Sequence, residues 1–336
     1  MLKLIKTSST NPFFNLAVEN FLLGNDTKHK CLYLWRNDPT VVIGKYQNAF
    51  LECDVSAMHK DQVNLARRTS GGGAVYQDLG NLNFTFISPT RSFSKENNNK
   101  IVINSLKHFD VNAEVSGRND ITVNGAKVSG AAFKQGPRTS FHHGTLLVDV
   151  DMNNLSRFLK PSAAKLAGKS VASVRSRVEN LKTFSPSITV EETSDALSQE
   201  FAKFYKVPYS KVKQIDSSVY EKNKQVKAIY KQLTSYDWIF GKIPKFSTKS
   251  DVVGFSWGTV QVGLEISKGK IATIEIFSDM MYTDVIPTIQ SALNGVKFTK
   301  ETISKQCDTL VKKEEDELKR KCIRDVFDIV ENLCIQ

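Results

Sequence analysis

Residues Gly117 to Phe133 read GRNDITVNGAKVSGAAF. Two β-rich triplets, Ile121-Thr122-Val123 and Ala126-Lys127-Val128, are separated only by Asn124-Gly125. Asn-Gly supplies the two consecutive positive φ values of a type I′ turn, so the stretch predicts a tight antiparallel hairpin. Strands joined in this way do not alternate with helices. The predicted class is therefore α+β rather than a doubly wound parallel sheet.

The flanking sequence repeats this mixture. Residues 12–24 predict a capped helix, with Phe14, Leu16, Ala17, Phe21 and Leu22 near helical spacing. Cys31–Trp35 and Thr40–Ile43 flank Asn37-Asp38-Pro39 and read as a hairpin-like pair. Asn81–Ser88 alternates polar and apolar residues and predicts a strand with one buried face. Thr145–Val150 predicts another strand, and residues 153–160 and 191–206 predict helices. A second hairpin is expected from Thr259–Ile266 and Lys270–Phe277. Residues 312–334 predict one long amphipathic helix, with Leu318, Cys322, Val326, Ile329 and Leu333 on its apolar stripe. The segment Trp238–Ser247, WIFGKIPKFS, carries Gly241 and Pro244 and reads as a linker. The expected organisation is a large domain at 1–243, a link at 244–249 and a small α+β domain at 250–336.

A chain of 336 residues is long enough for two domains, in keeping with a break near residue 245. Charge divides at the same place. Residues 1–245 carry 34 basic and 21 acidic side chains, a net +13; residues 246–336 carry 12 and 14, a net −2. The basic excess either attracts anions, such as nucleotide phosphates or an acidic protein, or simply solvates a Lys- and Asn-rich surface. No apolar run approaches the roughly 20 residues of a membrane span. The five cysteines form no CxxC, and the start lacks a signal or transit pattern, so a cytoplasmic location is expected.

Chemistry concentrates in three places. Leu65–Asp78, LARRTSGGGAVYQD, sets two arginines before three glycines. Such a loop reads as an anion-binding nest, or as a plain tight turn. It is neither a Walker A loop nor GxGxxG, and Ser70 lacks the Gly-x-Ser-x-Gly context of a hydrolase nucleophile. His142-His143 are neighbours beside a strand, point to opposite faces, and are expected to pack or hydrogen-bond rather than share a metal. In the hairpin, Lys127 stands among Ala126, Ser129, Gly130 and Ala131, which leave room for a ligand; otherwise it is an ordinary exposed lysine. Asn119-Asp120 suits magnesium and phosphate. Ser170–Leu181, with Arg175 and Arg177, reads as a basic loop over a nucleotide or as a solvated helix start.

In order and separation, RRTSGGGAVYQDLGN, GRNDITVNGAKVSGAAF, FHHGTLLVDVDM and KSVASVRSRVENL closely resemble the lipoate–protein ligase A family. The resemblance extends from FNLAVEN through LWRNDPTVVIGKYQN to WIFGKIPKFS and on into the C-terminal part. It implies the biotin/lipoate-ligase fold, with mixed β-sheets and flanking helices, and adenylation of lipoate by ATP and Mg²⁺. Transfer to a lysine ε-amine follows in that family. It further implies acidic acceptors (E2 lipoyl domains and the glycine-cleavage H protein), a monomer, and no nucleic-acid or membrane partner.

By the same resemblance Lys127 is catalytic, between the lipoyl carboxylate and the α-phosphate. ATP would meet Arg68, Gly73, Ala74, Val75, Tyr76, Asn119, Asp120, Lys127 and Arg175. Lipoate would meet Trp35, Ser70, Gly71, Gly72, Gly73, Val75, Lys127 and His143, with Phe86 also expected in the apolar slot. Mg²⁺ would sit by Asp120 through the phosphates. One departure stands out: Gln77 precedes Asp78 where the family commonly has His, and Gln cannot titrate near neutral pH. The rival readings are an ATP-independent lipoyl or octanoyl amidotransferase on the same scaffold and, more distantly, a basic nucleic-acid binder. A biotin ligase's basic glycine run is missing.

Overall fold

The computed structural model describes residues 2–25, 28–117, 120–160, 178–241 and 246–334. The chain is α+β. Its strands are β1 (Leu2–Lys6), β2 (Lys30–Trp35), β3 (Thr40–Ile43), β4 (Asn64–Arg67), β5 (Val75–Gln77), β6 (Asn81–Pro89), β7 (Glu114–Ser116), β8 (Asp120–Val123), β9 (Ala126–Gln135), β10 (Thr139–Leu147) and β11 (Lys213–Asp216). The C-terminal part adds β12 (Thr248–Lys249), β13 (Val253–Phe255), β14 (Gly258–Ser267) and β15 (Lys270–Ser278). One sheet runs β11-β1-β2-β6-β10-β9-β8-β7, a small sheet runs β4-β3-β5, and a third joins β12 to β15.

Helices cover both faces of the large sheet. The first, α1 (Pro12–Asn25), begins where Asn11 Oδ1 accepts from the amides of Phe13 and Phe14, with Pro12 at its first position. With the helix Lys224–Leu233 it buries Tyr33, Trp35 and Phe141 on one face. Helices Lys95–Leu106 and Val190–Phe204 bury Leu32, Leu34, Phe84 and Phe86 on the other. The second of these starts on a Thr189 N-cap, whose hydroxyl accepts from the Glu192 amide and donates to the Glu192 carboxylate. β2 supplies alternate residues to both cores, so side-chain parity decides which residues can face a site.

The two hairpins form as expected. Asn124 and Gly125 take φ of +50° and +78°, and Lys268 and Gly269 turn β14 into β15 at +51° and +69°. Other expectations need correction. Cys31–Trp35 and Thr40–Ile43 do not pair: β2 lies in the large sheet and β3 in the small one. β6 is buried on both faces rather than one, because helices lie on both sides. The strand expected from Thr145 runs instead from Thr139 to Leu147 and includes both histidines. Residues 312–334 are not one helix. Lys300–Lys313 ends, and Glu317–Leu333 starts afresh under the Asp316 cap, which leaves Leu318 42% exposed in its first turn. Trp238 is no linker residue either, since it lies in the helix Tyr236–Phe240 and donates its indole N–H to the Arg67 carbonyl.

The C-terminal sheet and its three helices enclose a separate core around Val262, Ile274, Ile289 and Phe327. Tyr46, from the N-terminal part, packs into that core. Its carbonyl accepts from the Ser278 amide at 3.0 Å and its hydroxyl donates to the Thr283 carbonyl at 3.1 Å. The segment 278–284 is thereby seated on the glycine loop. No helix among the described residues is long and apolar enough to cross a membrane.

Candidate active site

Where the small sheet meets β9 and β10, a cavity of about 270 Å³ opens. Leu16, Trp35, Val42 and Val75 make an apolar wall; Gly72 and Gly73 border it; Asp120, Lys127 and Gly130 stand along β8 and β9. Met281, from the C-terminal part, closes it. An aliphatic chain fits such a wall, since each buried CH₂ is worth about 0.8 kcal/mol.

Lys127 reaches this cavity because of a β-bulge. Thr122 pairs with Lys127 but Ile121 pairs with Ser129, so Val128 is the extra residue on β9. Lys127 and Gly130 are three positions apart and would face opposite sides of a regular strand. The bulge turns Lys127 onto the Gly130 side. Its Nζ meets Asp120 Oδ1 at 2.8 Å, and its Cε would lie 3.3 Å from a Cβ at position 130. At 27% exposure the Lys127 side chain is neither core nor free surface.

The two arginines before the glycines are buried and bonded largely to backbone. Arg67 donates to the carbonyls of Gly44, Lys45, Gln47, Trp238 and Ile239. It ties the small sheet to the helix at 236–240. Arg68 donates to the carbonyls of Val42, Gly71 and Gly73 and to Ser70 Oγ, which folds the glycine loop around its guanidinium. Burial lowers both guanidinium pKa values to about 10, so both stay charged at neutral pH. Arg68 still lines the cavity, whereas Arg67 does not.

His143 faces the cavity and His142 faces the opposite core, as strand parity requires. His143 Nδ1 is 2.8 Å from Glu19 Oε1, and its Nε2 is 2.8 Å from Ser70 Oγ. The order Ser–His–Glu is that of a hydrolase triad, yet Ser70 is fully buried, is held by Arg68, and does not line the cavity. It is no nucleophile. Burial, then the neighbouring His143, pushes His142 down to about 3. Lys134, on the β9 face shared with Ala132, has a pKa lowered by burial and then by Lys45.

Of the residues singled out from sequence, Trp35, Arg68, Gly72, Gly73, Ala74, Val75, Asp120, Lys127 and His143 border this one cavity. Ser70, Gly71 and Tyr76 do not; the Tyr76 ring packs on Phe158 and the Gly71 backbone lies against Met280. Phe86 belongs to the opposite core, a correction that follows from alternation along β6. Asn119, Arg175 and the rest of the 170s loop before Val178 lie outside the described residues. Gln77 borders the cavity and accepts from Asn37 Nδ2 at 2.7 Å, so it serves as a hydrogen-bonding side chain. Sequence reading missed Met281 and Glu19. Met281 gives no local signal, and Glu19 reads simply as a polar residue in an amphipathic helix.

The arrangement suits a carboxylate-headed aliphatic acid, with the head at Lys127 and the tail along Trp35. Among the described residues Asp120 is the one carboxylate on the cavity, and no group of three or more His, Cys, Asp or Glu forms a metal cage. A magnesium ion carried by phosphates needs only such a single carboxylate.

Comparison with known proteins matches residues 11–202 to the lipoyl protein ligase A/B catalytic domain and residues 243–326 to the bacterial lipoate protein ligase C-terminus. A lipoate-protein ligase A of Psychrobacter cryohalolentis is 41% identical over 315 residues, 92% of each chain. P. falciparum LipL1, solved in complex with lipoate, superposes with a TM-score of 0.87 at 33% identity, covering 99% of this chain and all of that one. A lipoate-protein ligase A bound with ATP gives 0.59 at 26% identity, covering 72% of this chain and 98% of that one. A chain from a Thermoplasma acidophilum system, a bi-partite lipoate protein ligase and its E2 lipoyl domain, gives 0.59 at 27%, covering 73% and 98%.

Proposed function

The chain belongs to the lipoate–protein ligase family, and from that premise we propose the division of labour among its residues. As an ATP-dependent lipoate ligase it joins the lipoate carboxylate to the α-phosphate of ATP, forming a C(O)O–P bond as pyrophosphate leaves. An acceptor lysine ε-amine then attacks the lipoyl carbonyl, and AMP departs as the amide forms. The mixed anhydride is needed because a free carboxylate resists an amine.

Lys127 carries the reading. Its ammonium borders the cavity with the apolar slot and the glycine loop and, among the described residues, pairs with Asp120 at 2.8 Å, a partner it can trade for the two negative oxygens of the reacting groups. Charge that builds on both during adenylation is stabilised by a donor already in place. Trp35, Val75 and His143 would hold the lipoyl chain, while Arg68 and the Gly73–Val75 backbone would face the nucleotide. Asp120, with the phosphates, would hold Mg²⁺, whose contribution when bound is charge neutralisation. Asn119 and Arg175 are proposed nucleotide contacts on sequence resemblance alone.

Residues 1–243 would form the catalytic domain and 250–336 the accessory one that supplies Met281. Acidic lipoyl-acceptor domains suit the net +13 of residues 1–245. Five free cysteines suit a reducing compartment such as the cytoplasm, and a monomer is the expected state. Pyrophosphate release from ATP, Mg²⁺ and lipoate without acceptor tests the reading. Release that depends on an acylated donor protein makes the chain an amidotransferase instead.

A further inference from the structure

Glu19 lies on α1, is fully buried, and stands behind the cavity rather than in its wall. The reaction above makes no use of it, yet two chains of hydrogen bonds end on it. Trp35 Nε1 donates to Thr85 Oγ1 at 3.1 Å, and Thr85 donates to Glu19 Oε1 at 2.7 Å. Arg68 Nε donates to Ser70 Oγ at 3.1 Å, Ser70 Oγ is 2.8 Å from His143 Nε2, and His143 Nδ1 is 2.8 Å from the same Glu19 oxygen.

The chemistry of the ends fixes the directions of the bonds that reach Glu19. Indole and guanidinium N–H groups only donate, and a carboxylate oxygen only accepts. Thr85 therefore accepts from Trp35 and gives its proton to Glu19. His143 Nδ1 faces the acceptor-only Glu19 oxygen and so carries a proton, and in the neutral ring Nε2 then accepts from Ser70, whose oxygen also accepts from Arg68. Sheet register makes the convergence possible: His143 and Thr85 are cross-strand partners on the face that α1 covers. Glu19 Oε2, by contrast, is buried with no hydrogen-bond partner among the described residues.

We propose that Glu19 is a positioning residue for the acyl substrate, the common acceptor that holds Trp35 and His143 in the cavity wall and ties them to Arg68. The proposal rests on the lipoate-ligase reading and adds to it a residue that touches no substrate. Arg68 keeps its backbone carbonyl partners if Ser70 moves, so loss of Glu19 falls on the lipoyl wall and spares the nucleotide side.

The test uses the full chain and two readouts. In the substrate-free protein, ¹⁵N shifts of the His143 imidazole, assigned with a His143→Gln variant, report the Nδ1–H tautomer in the wild type and its loss in Glu19→Ala. In acceptor-free pyrophosphate release, Glu19→Ala raises KM for lipoate about tenfold or more, the size expected when a charge-assisted hydrogen bond is lost, with KM for ATP within about twofold. Adding Thr85→Val to Glu19→Ala costs less than the sum of the two single effects, because both cut the same chain. An Nε2–H tautomer in the wild type, equal rises in both KM values, or an additive double variant overturns the proposal. Should Glu19→Ala fail to fold, Thr85→Val alone must raise KM for lipoate and Thr85→Ser must restore it; an unchanged KM in Thr85→Val is equally fatal. A wild type that never activates lipoate refutes the ligase reading, while the tautomer measurement still judges the network.

Discussion

Gly71 and Met280 meet backbone to backbone across the seam between the N- and C-terminal parts. A Cβ on Gly71 would collide with the Met280 carbonyl oxygen and lie 2.8 Å from the Cα of Met281. The glycine run thus serves as a docking surface within the chain as well as a cavity border. Gly71→Ala is expected to push the 278–284 segment off the loop, at the cost of about 1–3 kcal/mol usual for overpacking. Hydrogen exchange at the Ser278 amide, now bonded to Tyr46, should speed up, and lipoate binding should weaken as Met281 withdraws. Unchanged exchange would show that the seam gives way without cost.

Lys127 is expected to tolerate neither neutral nor planar replacement. Lys127→Arg keeps the charge but lengthens and flattens the donor, and misplacement by about 1 Å costs on the order of 100-fold in rate. Both Lys127→Arg and Lys127→Ala should nearly abolish lipoyl-adenylate formation. The melting temperature should barely move, because the pair with Asp120 is partly exposed and such pairs contribute about 1 kcal/mol or less. Direct measurement of the adenylate checks this. Near-normal adenylation by the arginine variant would reduce Lys127 to diffuse charge.

Arg67 should behave as a structural residue despite its place in the motif. Arg67→Ala leaves buried carbonyls in both the Gly44–Gln47 turn and the helix at 236–240 without donors. The expected loss is about 3 kcal/mol or more, read from urea unfolding. Arg67→Lys should recover only part of it, since one ammonium cannot span both segments.

His142 sets an acid limit on stability. Its folded value of about 3 lies below the ordinary 6.5, so between those values the unfolded chain takes up a proton that the folded chain refuses. The stabilisation is complete above pH 6.5 and falls as pH drops toward 3, by about 1.4 kcal/mol per pH unit. Between pH 6.5 and 5 the wild type should lose about 2 kcal/mol more than His142→Phe. Parallel losses in the two proteins would show that His142 does not control the response.

Local chemistry was legible where a few residues dictate a conformation. Asn124-Gly125 announces its turn, and the glycine run announces a close approach, though at Gly72 a φ of +88° also shapes the loop. What sequence reading lost depends on partners far away in the chain. Whether Phe86 or Trp35 faces the cavity follows from which helices cover each side of the large sheet. Whether Thr40–Ile43 pairs with Cys31–Trp35 follows from β4, which claims β3 for another sheet. Arg67 read as part of an anion-binding loop because its carbonyl partners at Trp238 and Ile239 are remote in sequence. Glu19 lies within FNLAVEN but nothing local marks its role, Thr85 carries no motif, and both become meaningful only when register sets Thr85 beside His143.

The extra residue at Val128 has a consequence that no substitution can reveal. Lys127 faces the cavity because β9 has one residue more than β8 between the Asp120–Gly130 and Thr122–Lys127 pairs, so at three residues' spacing from Gly130 its aim depends on that mismatch. Inserting one residue into β8 between Ile121 and Thr122 would restore a regular ladder with Lys127 and Gly130 on opposite sides, and would swing the ammonium to the far side of the sheet with every catalytic side chain still present. Drift in the length of this hairpin is therefore a route to a folded but silent protein, and comparison of hairpin lengths is a better guide to lost activity in such chains than a check that the lysine remains.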